Sequence, residues 1–243
     1  MPIGIIVNGI AIIVGGLLGA LLGNRVPDQF KNGLIMVFGG CAMCMGISAI
    51  SLMENMPAVI LATILGTAIG LAIHLGDKIN ACGGLMQQGI SKILKQKNTG
   101  MSESEFKETL TTVIVLFCAS GTGIYGSMVS GMTGDHSILL AKSFLDLPTA
   151  LIFGCTMGLV ISAVAIPQMI VFLILFALAG VIYPLTTPTM INDFKACGGL
   201  IIFVTGFRMI KVKMFPTADM IPAMILVMPI SWLWVTYILP LVS

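Results

Sequence analysis

Apolar runs long enough to cross a bilayer alternate with short polar stretches along almost the whole chain. The hydrocarbon core of a membrane takes roughly 20 apolar residues of helix. On that measure the pattern predicts spans at about 3–23, 33–53, 56–76, 109–132, 148–166, 168–187, 195–211 and 219–241. Polar punctuation separates them. "NRVPDQFKN" follows the first, a long polar stretch over about 77–108 follows the third, and "KVKMFPTAD" follows the seventh. The fifth and sixth meet at Pro167-Gln168, read as a tight turn. The expectation is an all-α polytopic membrane protein of about eight transmembrane spans, forming a single transmembrane domain over 1–243.

Composition strengthens that picture. Of 243 residues 57% are hydrophobic and 9% charged, where soluble domains run to about 25% charged. Mean hydropathy is +1.07. The 28 glycines and 18 methionines suit helices packed closely in lipid, where small residues let backbones approach. A net charge of +2 gives no case for nucleic acid as a partner. Cys41 and Cys44 have C-x-x-C spacing, but with no second pair and no nearby histidine they read as small packing residues. No metal or cofactor is implied. The start, Met1-Pro2-Ile3-Gly4, lacks a basic region and predicts no cleaved signal.

Basic residues orient the chain, because cytoplasmic loops carry the excess of lysine and arginine. With both termini outside (N-out/C-out), ten of the twelve basic residues fall on the cytoplasmic side, leaving only Lys142 and Lys195. The surroundings of the spans are lipid. Around Ile90, Ile93 and Leu94 the lysines Lys92, Lys95 and Lys97 predict a short basic amphipathic helix on the inner surface. "SESE" at Ser102–Glu105 offers an N-cap with acids for the fourth span.

Two stretches resemble one another. "LLGNRVPDQFKNGLIMVFGGCAMCMGI" (21–47) and "IYPLTTPTMINDFKACGGLIIFVTGFRM" (182–209) each end a helix and cross a proline-containing loop. Each then re-enters through a Gly-Gly pair and a later glycine, Gly46 or Gly206. On the expected topology the two lie in opposite senses, which predicts an inverted repeat of units 1–76 and 168–243. Asp193 and Lys195 then fall in an interfacial loop.

The stretch 116–146 sets a chemical question. Gly121, Gly123, Gly126 and Gly131, interleaved with Ser120, Thr122, Ser127, Ser130 and Thr133, favour a broken central helix. Broken helix is tolerated in lipid only against protein or a water-filled cavity, so this is the natural solute site. The polar segment after Gly134 carries Asp135, His136, Lys142 and Asp146. A helix from Ser137 would put Lys142 and Asp146 at i, i+4, close enough to pair. Ionisable groups at membrane depth are functional candidates by default. Asn8, near the external end of the first span, is placed to bond the broken helix. The other polar residues of apolar runs, Gln168 among them, read as interhelical glue.

These residues carry a resemblance. "GIIVNGIAIIVGGLLGALLGNRVP", "LFCASGTGIYGSMVSGMTGDHSILLAKSFLD" and "INDFKACGGLIIFVTGFRM" are similar to the bacterial domain-of-unknown-function 554 family of inner-membrane proteins over nearly the whole chain. The match lies in Gly126-Ser127, then Gly131, Thr133, Gly134 and Asp135, then Lys142 and Asp146, with Asn8 in the first helix. "CASGTGIYGS" departs from the proline-bearing run expected there. The resemblance implies a multi-pass membrane protein of transport function and supplies no substrate.

The leading expectation is a secondary transporter or channel for a small polar or anionic solute. Asn8, Ser120, Gly121, Thr122, Gly123, Gly126, Ser127, Thr133, Gly134 and Lys142 would bind it, and Asp135 and Asp146 would couple an ion or proton. The alternative is a non-transporting scaffold or sensor acting through the basic 77–108 loop. An enzyme is not expected, since no metalloprotease H-E-x-x-H or G-x-S-x-G elbow occurs. Glycine-lined faces suit a homodimer.

Overall fold

The computed structural model describes residues 1–23, 27–93, 103–118, 120–210 and 212–242, all helix or connecting turn with no strand. In chain order the helices are α1 (Ile3–Leu22), α2 (Asp28–Ile50), α3 (Met56–Ala72), α4 (Leu75–Ile93), α5 (Glu103–Cys118), α6 (Gly121–Thr133) and α7 (Ser137–Met157). They continue with α8 (Val160–Ala163), α9 (Ala165–Ile182), α10 (Pro188–Met209), α11 (Ile221–Leu233) and α12 (Leu239–Val242). A π turn, Trp234–Ile238, joins the last two. Among the described residues six helices are long and apolar enough to cross a membrane, or seven if α3 and α4 count as one bent span. The apolar part of α2, Met36–Ile50, is shorter.

Three expectations change. The glycines of α6 do not break it: residues 121–133 form one helix, and a side chain at Gly123 or Gly131 would overlap Phe172 or the Phe176 carbonyl oxygen on α9. The glycines are spent on close approach. The interruption comes just before, where α5 ends at Cys118 and Ser120 caps α6 by accepting from the Gly123 N–H at 3.2 Å. Second, the segment after Gly134 is no separate piece, because Lys142 and Asp146 lie on the first half of the 21-residue α7. The turn expected at Pro167-Gln168 falls instead at Gly158, whose φ of 78° closes α7. Pro167 sits in the first turn of α9, where the N–H it lacks would have no helical partner.

Third, α10 begins at Pro188, seven residues before the expected span, which moves Asp193 and Lys195 out of a loop and onto a helix. The polar stretch after the third span is likewise largely helical, as α4. The predicted lysines Lys95 and Lys97, and Ser102 of the expected cap, lie outside the described residues.

The chain divides into two compact units, Met1–Ile35 with Asp77–Val181, and Met36–Gly76 with Ile182–Ser243. In the first, α1 lies along α7. Gly4 meets Leu139, Gly15 meets Leu147 and Ala150, and Gly19 meets Leu151 and Gly154, so the two helices run parallel. Gly23, which the spacing joins to that stripe, instead terminates α1 with φ 58°. α6 and α9 are also parallel, pairing Gly123 with Phe172 and Gly131 with Ala179. Ile5, Leu139 and Phe172 form a small core where α1, α7 and α9 meet. A larger core gathers Phe106, Leu110, Val113, Ile114 and Phe117 of α5 against Ile161 and Val164.

In the second unit α2 and α10 cross antiparallel. A methyl group at Gly46 would stand 2.7 Å from the Gly199 carbonyl oxygen, and one at Gly206 2.7 Å from that of Gly39. α3 and α11 are antiparallel as well, with Gly66 against Ala223 and Gly70 against Asp219.

Filling such a contact forces the helices apart, and overpacking costs about 1–3 kcal/mol. Gly19→Val should therefore lower the apparent melting temperature of detergent-purified protein by several degrees. Gly180→Val, at a position with no neighbour within 4 Å, should leave it unchanged.

Candidate functional site

Four polar side chains from three helices of the first unit converge: Asn8 on α1, Lys142 and Asp146 on α7, and Gln168 on α9. All are buried, Asn8 and Gln168 completely. The helical rise brings Lys142 and Asp146 onto one face, where Lys142 Nζ donates to Asp146 Oδ2 at 2.5 Å. Asn8 Nδ2 donates to the same oxygen at 2.8 Å, and Gln168 Nε2 donates to Asn8 Oδ1. The glycine seam between α1 and α7 lets Asn8 reach so far. Both contacts to the carboxylate use Oδ2, and no described residue bonds Oδ1. Gln168 Oε1 and Ser127 Oγ are buried with no partner among the described residues.

The break between α5 and α6 lies at the same level. Lys142 Nζ is 5.8 Å from the centroid of Phe117, in the last turn of α5. That places the ammonium close to a helix C-terminus, whose free carbonyls favour positive charge. On α9, Gln168 is one turn before Phe172 on the same face, and Phe172 packs on Gly123 in the first turn of α6. Since α6 and α9 are parallel, one turn back from Gly123 is Ser120, the cap. Next to it the backbone N–H groups of Gly121 and Thr122 open α6 without helical partners.

The structure thus brings together Asn8, Lys142 and Asp146; Ser120, Gly121, Thr122 and Gly123 open α6, whose Gly123 meets Phe172 one turn along α9 from Gln168. Asn8 bonds Asp146 rather than the broken helix. Gly126 packs on Ile138 and Leu139, and Ser127 is buried one residue further along α6. Thr133, Gly134 and Asp135 are elsewhere, exposed in the turn that joins α6 to α7. Thr133 Oγ1 donates to the Val129 carbonyl, Gly134 takes φ 72°, and Asp135 accepts from the Ser137 N–H at 2.9 Å. Asp135 is seven residues, about 10 Å of helix rise, from Lys142. His136 pairs with Ser130 at 2.7 Å.

Sequence reasoning left out two residues. Gln168, taken as interhelical glue, belongs to the cluster; its signal was a lone amide in an apolar run. Asp193, taken as interfacial, is wholly buried in the second unit. It accepts from the N–H groups of Glu54 and Asn55 (3.0 and 2.9 Å), from Asn55 Nδ2 (3.0 Å) and from Ser231 Oγ (2.7 Å). A carboxylate at the N-terminus of α3 is well placed against that helix dipole.

Helices of this length and apolarity, closing over a buried ion pair, define an α-helical membrane protein with a polar centre inside its helices. Its family is shown directly. The model described as "Protein of unknown function (DUF554)" matches residues 3–232, and the chain belongs to that family. It is 42% identical over 237 residues to the "Uncharacterized protein YqgA" of Escherichia coli (strain K12), covering 98% of this chain and 99% of that one. It is 26% identical over 230 residues to the "Uncharacterized membrane protein YdfK" of Bacillus subtilis (strain 168), covering 92% and 93%. No solved structure matches.

Removing one member of a buried ion pair strands the other and costs about 3–5 kcal/mol, whereas replacing both by apolar groups is often neutral. Asp146→Ala should strongly destabilise the protein in thermal denaturation. The double variant Lys142→Met/Asp146→Leu should recover most of that loss. A single variant as stable as the parent would mean the pair is not buried.

Proposed function

We propose that this protein is a secondary transporter or channel for a small polar or anionic solute, crossing the bacterial cytoplasmic membrane eight times with both termini outside. One observation carries the functional reading: a neutral Lys142–Asp146 pair, held by the buried amide of Asn8 that Gln168 supports in turn, sits on membrane-length helices beside an interrupted one. Buried charge is costly in lipid and is kept where it does work. Interrupted helices place unpaired N–H groups and carbonyls at mid-membrane, where they can replace a solute's water.

Helix directions support the eight crossings. Parallel α1 and α7 fit an odd number of crossings between them, which a total of eight provides. Both α2 and α3 lie along helices of membrane-spanning length, α10 and α11, which supports reading them as crossings too. The result also keeps ten of twelve basic residues on one side.

An inverted repeat fits the same contacts. A shift of 160 residues superposes Asn8 on Gln168, Gly39 on Gly199 and Gly46 on Gly206. Asn8 bonds its own counterpart; Gly46 packs on the counterpart of Gly39, and Gly39 on the counterpart of Gly46. Such reciprocity is what two-fold related elements display. Opposed halves of this kind can exchange roles in alternating access.

Two measurements test the proposal. Lys213 is exposed in the loop between α10 and α11, which this topology puts in the cytoplasm, and can be changed to cysteine. As the sole cysteine of the chain, that position should react with an impermeant maleimide in inside-out vesicles and not in right-side-out ones; the reverse would invert the topology. In proteoliposomes, counterflow of radiolabelled three- and four-carbon organic and amino acids should detect at least one transported probe. The near-isosteric double variant Lys142→Gln/Asp146→Asn should cut that flux at least about tenfold, the loss of roughly one charge-assisted hydrogen bond, while melting like the parent. Unchanged flux would remove the pair from the mechanism, and no flux of any probe would count for the scaffold alternative.

A further inference from the structure

The ligand's chemical class can be narrowed by what the cluster offers and what it leaves unmet. It offers donors on one side: Lys142 Nζ, which has spent one of its three N–H bonds on Asp146, and the neighbouring N–H groups of Gly121 and Thr122 at the start of α6. It leaves two acceptors without a partner among the described residues: the buried Gln168 Oε1, and Asp146 Oδ1, since both bonds to that carboxylate go to Oδ2. The amide of Gln168 is fixed, because turning it over would set Oε1 against Asn8 Oδ1 in place of the donor now there. Charge narrows the choice again. The pair is neutral as it stands, so a purely anionic guest would leave a net negative charge in a buried setting, and a cation a positive one. Both are penalised where water is excluded. A guest carrying both charges leaves the sum at zero.

We infer that the cluster formed by Asn8, Lys142, Asp146 and Gln168 at the α5–α6 break binds a small zwitterion of the α-amino acid type. Its carboxylate takes Lys142 and the N–H groups of α6, and its ammonium takes Asp146 Oδ1 and Gln168 Oε1. The inference rests on the transport reading and deepens it. In this picture the 2.5 Å contact between Lys142 and Asp146 is an internal stand-in for the guest: each side chain occupies the other's ligand position until a molecule with the opposite arrangement of charges separates them. Gln168 selects for the donor and the lysine for the acid, so their variants should fail differently.

The test compares probes that differ only beside the carboxylate, using the purified full-length protein in nanodiscs at pH 7 and isothermal titration. The three-carbon series is propionate, lactate and alanine; the four-carbon series is succinate, malate and aspartate. The expected result is binding of alanine or aspartate at least about tenfold tighter than of the matching propionate or succinate, with the hydroxy acid between, because a missing donor leaves the buried Gln168 Oε1 unpaired. Gln168→Leu should shrink that ratio severalfold while the protein melts as the parent does. Lys142→Gln/Asp146→Asn should bind neither kind of probe. Equal binding of amino acid and simple acid by the parent protein would overturn the zwitterion inference and leave the solute site standing. Failure of every probe to bind would overturn both. Discrimination that survives Gln168→Leu would assign the selectivity elsewhere and overturn the role given to this cluster.

Discussion

The first unit depends on a charge held inside membrane-length helices. A lysine and a carboxylate four residues apart on α7 would be difficult to keep in hydrocarbon singly. Together they are neutral, and the remaining polar capacity of the carboxylate is partly met by Asn8 from α1. That contact fixes much else. α1 must lie close enough for a short amide to reach, which is why glycines line its seam with α7, and α9 must present Gln168 to the far side of Asn8. Packing and polar chemistry therefore constrain the same three helices.

The two buried aspartates illustrate how surroundings divide labour between identical side chains. Asp193 receives four hydrogen bonds, two from main chain and two from side chains, shared between both oxygens. It ties α3, α10 and α11 together, and its bonding capacity is largely used. Asp146 has a cation beside it and its bonds concentrated on one oxygen, with none to the other from the described residues. The first arrangement is suited to holding a structure, the second to exchanging partners.

Much of this was legible in the sequence because lipid imposes simple rules. Runs of apolar residues gave α1, α3 and α11 closely, and the i, i+4 spacing gave the Lys142–Asp146 pair before any coordinates. What the sequence obscured was how glycines are used. The cluster in α6 looked like a source of flexibility, yet Gly123 and Gly131 are contact points with α9 inside a regular helix. Flexibility and close approach call for the same residue, and only the partner distinguishes them. Polar residues near a helix start were misjudged for a related reason. The segment around Asp193 looks like loop when scored by polarity, but it is the first part of α10, and Asp193 is paired within its unit. Gln168 was read only as interhelical glue because its partner lies 160 residues away, beyond the reach of local pattern.

That separation also bears on how the chain is made. Asn8 is synthesised 138 residues before Asp146, its partner. At about 5–20 residues per second, the amide of the first helix waits on the order of 7–28 s for its acid. During that interval a helix with a bare amide and a groove of glycines must be sheltered by the insertion machinery or by lipid headgroups. Assembly of the polar centre is thus a late event of biogenesis, and newborn chains halted before α7 would be natural substrates for membrane quality-control proteases.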